Sequence, residues 1–88
     1  MNAPARTSPN QAMLLRHLGA ENAHDMAGTL ATLHAQCVFR DFATGQVFPG
    51  KAGAERHYRQ WWDAFGNVVV RSPLGSAHWI DDDTYVAE

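Results

Sequence analysis

The segment from Lys51 to Phe65 constrains the fold more than any other stretch of the chain. Ala54, Tyr58, Trp61, Trp62 and Phe65 recur at helical spacing, opposite Glu55, Arg56, Arg59, Gln60 and Asp63. The spacing predicts an amphipathic helix with a broad aromatic stripe, ended by Gly66 and Asn67. Such a stripe must be covered by other elements of the chain or by a partner. The alternation of Arg56 and Arg59 with Glu55 and Asp63 reads as a solvated face carrying weak ion pairs.

The preceding residues supply two shorter helices and a hairpin. Met13, Leu14, His17, Leu18 and Glu21 predict a first helix from Gln11 to about Asn22, with Asn10 available as its cap. Asp25 is placed to cap a second helix on which Met26, Leu30, Leu33 and Cys37 share a face, and Gly28 weakens it. From Cys37 to Asp41 the period changes to two, with Cys37, Phe39 and Asp41 on one face and Val38 and Arg40 on the other. A turn at Ala43, Thr44 and Gly45 leads into Gln46 to Phe48, which predicts a β-hairpin closed by Pro49 and Gly50.

Beyond the aromatic helix, Val68 to Arg71 begin a β-branched strand interrupted by Pro73 and Gly75 and resumed from Ser76 to Ile80. Asp81 to Asp83 read as a turn, and Thr84 to Ala87 as a strand that reaches Glu88 with no terminator. The expectation is an α+β domain over residues 10–88, cut short at its C-terminal end and leaving a strand edge exposed. Residues 1–9, with two prolines and no periodicity, read as a disordered tail.

Composition limits the classes of function. With 88 residues, 45% of them apolar, the chain is one small domain. Its net charge of −2 and lack of a basic block argue against nucleic acid or an anionic membrane as partner. Cys37 is the sole cysteine, so no internal disulfide can form and a reducing, cytoplasmic setting is expected. No apolar run approaches the roughly 20 residues needed to span a bilayer, and residues 1–9 lack the apolar stretch of a signal peptide.

The segments ENAHDMAGTLATLHAQCVFRDFATGQVFPGKAGAERHYRQWWDAF and WIDDDTYVAE resemble the nuclear transport factor 2-like superfamily, in its SnoaL-like, polyketide-cyclase-like branch. The resemblance implies three helices packed on a strongly curved antiparallel sheet, making a cone whose mouth admits a small apolar molecule. That cone serves isomerases, cyclases, hydrolases, dehydratases and noncatalytic binding or dimerisation domains, so chemistry must be argued from the site. Laid against the related ketosteroid isomerases, Arg16 to Asp41 needs no gap. The general-base aspartate then falls on Asp41, and the tyrosine that donates to the developing enolate oxygen falls on His17. Histidine replaces that tyrosine, and Phe42 stands where a proline usually follows the aspartate. The third acid of that site, and the late-strand acid and base residues of the cyclases, would lie beyond Glu88.

Each candidate has a functional and a plainer role. Asp41 is a candidate base, with a raised pKa if its face lines an apolar pocket; alternatively it caps the turn through Thr44 and Gly45. His17 is a candidate oxyanion donor or proton shuttle; alternatively it bonds a backbone carbonyl or Glu21 one turn away. Phe39, Tyr58, Trp61, Trp62 and Phe65 are candidates to line a pocket for a flat apolar ligand, oriented by the phenol or an indole N–H, or they are core. His24, ahead of Asp25, reads as part of a helix junction. The five histidines lack ligand spacing and the three aspartates lack an EF-hand pattern, so no metal is expected, and no organic cofactor either. Three functions remain: cofactor-free isomerisation or cyclisation by proton abstraction next to a carbonyl, noncatalytic binding of a small apolar molecule, and a homodimer that covers the aromatic face.

Overall fold

The computed structural model describes residues 8–66, 68–69 and 77–87. Helix α1 spans Pro9–Asn22 and begins one step before the expected cap. The Ser8 hydroxyl accepts from the Gln11 amide at 3.1 Å, and the Ser8 amide donates to Gln11 Oε1 at 3.2 Å. Serine followed three residues later by glutamine is a capping box, and Pro9 sits at the first helical position, where its missing N–H costs nothing. Ser8 and Pro9 therefore belong to the fold, not to a disordered tail, while residues 1–7 lie outside the described residues. Asn10 instead ties the helix to a distant turn, its Nδ2 donating to the Asp82 carbonyl at 2.9 Å and to Asp83 Oδ1 at 2.8 Å.

Helix α2 covers only Met26–Ala31, shorter than the apolar spacing to Cys37 suggests. Asp25 caps it as expected, accepting from the Gly28 amide at 3.0 Å. A Cβ on residue 28 would collide with that capping carboxylate, which is why a glycine occupies the helix here. The end is set by threonines. Thr29 Oγ1 donates to the Asp25 carbonyl at 2.7 Å, Thr32 Oγ1 donates to the Thr29 carbonyl at 2.6 Å, and the Thr32 and Leu33 amides bond three residues back. Back-bonding hydroxyls and tightened turns stop the helix, leaving Cys37 in the loop before the first strand.

Strands β1 (Val38–Asp41) and β2 (Gln46–Pro49) pair antiparallel, with Phe39 opposite Phe48 and Asp41 opposite Gln46. The loop turns at Gly45, whose φ of 75° is open to glycine at little cost. The alternation read from the sequence holds: Phe39 and Phe48 face α3 (Gly50–Phe65), while Val38 and Val47 are exposed on the outer face. On α3, Ala54 and Tyr58 are buried, and Trp61 and Trp62 are half-buried. Phe65 departs from the expected stripe, being 68% exposed one turn beyond the hairpin's cover.

Strands β3 (Ala77–Asp81) and β4 (Thr84–Ala87) form a second hairpin, with Trp79 opposite Tyr85. The strand expected from Val68 does not begin there: Val68 and Val69 are in no strand, and residues 70–76 lie outside the described residues. Asp81 closes β3, and its Oδ1 accepts from the Asp83 amide at 2.8 Å in an Asx turn. The chain is thus α+β, and among the described residues its strands form two small antiparallel sheets instead of one.

Helix α3 lies close on β2 at Gly53, where a Cβ would collide with the Phe48 backbone, lying 2.9 Å from its carbonyl oxygen. Gly19 in α1 faces open space. Gly53→Ala is therefore expected to cost about 1–3 kcal/mol through displacement of α3 from β2. Gly19→Ala is expected to stabilise by about 0.5–1 kcal/mol. Urea unfolding of both variants checks this, and equal effects at the two positions would contradict the packing.

Candidate functional site

Four side chains from three elements meet inside the α1, α2 and α3 junction. His17 and Glu21 lie one turn apart on α1, Thr32 caps the end of α2, and Tyr58 comes from the middle of α3. His17 Nδ1 is 2.7 Å from Thr32 Oγ1, and its Nε2 is 3.0 Å from the Tyr58 hydroxyl and 3.1 Å from Glu21 Oε2. The Tyr58 hydroxyl donates to Glu21 Oε2 at 2.8 Å. Tyr58 is 2% exposed and Glu21 8%, so the bond between them operates away from water, while those of His17 are only partly covered.

The contacts of Tyr58 and Glu21 place a proton on His17 Nε2. Tyr58 has one hydroxyl proton and gives it to Glu21, so its oxygen can only accept from His17. Nε2 therefore faces two acceptors, the phenol oxygen and the carboxylate, and must carry a proton. In the neutral imidazole Nδ1 then holds the lone pair, aimed at Thr32 Oγ1. Burial, followed by the Glu21 charge and the hydrogen bond to it, pushes the Tyr58 phenol well above its ordinary range, so it stays a donor.

His17 and Thr32 also line an open groove of about 270 Å³, between α1, the end of α2, β1 and the second hairpin. Its walls are mainly apolar: Met13, Leu14, Leu33, Phe39, Trp79 and Tyr85, with Asn10 and Asp83 at the polar rim. Of the residues expected to bind a ligand, Phe39 is in this wall. Tyr58 lies behind it, its hydroxyl engaged with Glu21. Trp61 packs near His57 and Tyr58, and Trp62 stacks on His24 with ring centroids 4.7 Å apart. The buried Trp62 indole N–H has no hydrogen-bond partner among the described residues. Phe65 is exposed at the end of α3.

Asp41 sits at the end of β1, where Oδ1 accepts from the Ala43 amide at 2.9 Å and the Thr44 amide at 3.3 Å. The backbone bond from Thr44 is the main cause that holds its carboxyl below the usual range, burial opposes it, and the Thr44 side chain, the Ala43 amide and nearby His57 add to the lowering. A raised pKa is expected of a carboxylate in an apolar pocket, and Asp41 shows the opposite, because it caps its own turn.

Three participants are not apparent from spacing alone. Thr32 meets His17 only through the crossing of α1 and α2. His57 packs against Phe39, Phe48 and Tyr58 at 4.9 to 5.2 Å, where burial lowers its pKa against the opposing charges of Asp41 and Glu21. His24 adopts a φ of 54°, in the left-handed region, and its Nε2 donates to the Val68 carbonyl at 2.9 Å, anchoring the chain after α3 to the helix junction. The Glu21 pairing alone has a visible signal, the four-residue step from His17.

Tyr58→Phe keeps the ring but removes the proton that Glu21 accepts and the oxygen that His17 meets. The expected cost is about 1–3 kcal/mol in denaturant unfolding. An unchanged midpoint would show that these bonds add nothing to the fold. No protein-family model matches the chain, and neither a curated protein nor a solved structure is found to be similar to it.

Proposed function

We propose that the groove beside His17 binds a small, largely apolar molecule that carries one hydrogen-bonding group. The observation that carries this reading is the placement of His17 and Thr32 as a polar pair in an otherwise apolar wall. His17 is held from behind by Glu21 and Tyr58, so it meets a ligand without reorganising. The reading includes membership of the nuclear transport factor 2-like superfamily, in its SnoaL-like branch. The order helix, helix, hairpin, helix, strand, strand and the packing of α3 on the first hairpin support it. Within it, the curved sheet would form the cone wall. A second copy would cover the exposed Val38 and Val47 on the outer face of the first hairpin.

Proton abstraction by Asp41 has less support. Its carboxylate is held ionised by turn amides, which makes it a weak base, and it is not among the described groove-lining residues. His17 is the better-placed proton carrier, and the groove is the better-supported feature.

Titration with the neutral apolar fluorophore N-phenyl-1-naphthylamine tests the reading. Saturable uptake is expected, weakened about tenfold by Trp79→Ala, which removes one wall. Asp41→Asn is expected to leave uptake unchanged. Non-saturable uptake, or uptake indifferent to Trp79→Ala, would place the ligand elsewhere or nowhere.

A further inference from the structure

His17 and Thr32 give the groove a reactive pair as well as a binding one. We infer that Thr32, His17 and Glu21 form a nucleophile, base and positioning carboxylate that transfers the acyl group of a small apolar ester through Thr32. The inference rests on the groove reading above. Glu21 Oε2 lies 3.1 Å from His17 Nε2, and His17 Nδ1 lies 2.7 Å from Thr32 Oγ1. A base within hydrogen-bond reach of a hydroxyl, itself oriented by a buried carboxylate, is the general arrangement of an activated nucleophile. Here the imidazole is used the other way round, with Nδ1 towards the hydroxyl, because its Nε2 is turned inward to Glu21 and Tyr58.

The surroundings of Thr32 suit a base that changes protonation during a cycle. Its single hydroxyl proton has two acceptors within reach, His17 Nδ1 at 2.7 Å and the Thr29 carbonyl at 2.6 Å. In the structure the hydroxyl donates to the Thr29 carbonyl. With His17 neutral and Nδ1 unprotonated, it turns from that carbonyl and donates to Nδ1; with both ring nitrogens protonated it keeps the carbonyl bond, and its oxygen accepts from Nδ1. The Thr29 carbonyl also accepts the Thr32 amide at 3.1 Å, so it is not left unpaired when the hydroxyl turns away. Both states of the base are satisfied without moving a helix. A purely structural Thr32 needs the carbonyl bond alone, and does not require the hydroxyl to share the groove with an oriented imidazole.

Thr32 Oγ1 bonds to the ester carbonyl carbon as its proton passes to His17 Nδ1. The tetrahedral adduct collapses with cleavage of the bond to the leaving oxygen, which takes the Nδ1 proton and departs as the alcohol. Water then attacks the acyl-threonine, giving its proton to Nδ1, and release of the carboxylic acid restores Thr32 with that proton. Tyr58 and Glu21 act through His17 and are positioning residues. Asp83 and Tyr85 are the other ionisable residues among the described groove lining.

The test uses p-nitrophenyl butyrate with the full chain, following its uptake by tryptophan fluorescence and p-nitrophenolate release by absorbance. Peptide mass mapping locates any butyryl group. The expected result is saturable uptake, release at least tenfold above the protein-free rate, and a butyryl adduct on Thr32. Thr32→Ala should lose release and adduct, and Thr32→Ser should restore both. Glu21→Gln should lower kcat with KM unchanged. Saturable uptake without a Thr32 adduct, or release retained in Thr32→Ala, would overturn the inference and leave the groove reading intact. Absence of both uptake and release would overturn the two together.

Discussion

The buried hydroxyl of Tyr58 is the interaction on which the rest of the arrangement depends. It has one proton, donated to Glu21 at 2.8 Å, and that choice makes its oxygen an acceptor for His17. From this follow the proton on His17 Nε2 and, in the neutral ring, a lone pair on the side of Thr32. The same bonds join α1 to α3 and, through Thr32, to α2. Burying a carboxylate is costly unless it is paired and hydrogen-bonded, and Glu21 meets both conditions only when α1 and α3 are packed together. Structure and candidate chemistry therefore rest on the same four side chains.

The aromatic face of α3 supplies the apolar half of this design. Phe39 and Phe48 of the first hairpin pack edge-on or tilted against His57 and Tyr58, which holds Tyr58 at the depth where its hydroxyl reaches Glu21. The glycine at position 53 sets how closely the helix and hairpin approach. The second hairpin adds the outer wall of the groove, tied to α1 by the Asn10 amide bonds at its turn. Fold and groove are thus connected by a short path: Gly53 to Phe48, Phe48 to His57, His57 to Tyr58, Tyr58 to His17.

Much of this was legible in the sequence because it is periodic. The stripe of Ala54, Tyr58, Trp61 and Trp62, the alternation around Phe39 and the Asp25 cap are local patterns, and each element they predict is present. The α1 start was legible too, as the capping box of Ser8 and Gln11, although Asn10 draws attention first. The shortness of α2 was not legible, because threonine back-bonding competes with an apolar spacing that continues past it. His17 stood out by type and position, but Thr32 did not, since an isolated threonine near a helix end has an ordinary local role. Its meeting with His17 comes from a helix crossing that sequence spacing does not encode. Asp41 shows the reverse: a carboxylate conspicuous by alignment proves to be engaged by its own turn.

The most direct test of the account is the protonation pattern of His17 itself, read from two-bond nitrogen–proton correlations of the imidazole in uniformly nitrogen-15-labelled protein. With His17 neutral, the account predicts a protonated Nε2 and an unprotonated Nδ1, with Nδ1 becoming protonated in Thr32→Ala only when the ring as a whole is charged. A neutral ring protonated at Nδ1 would place a lone pair against the Glu21 carboxylate and the Tyr58 oxygen, and would contradict the arrangement from which the groove chemistry is derived.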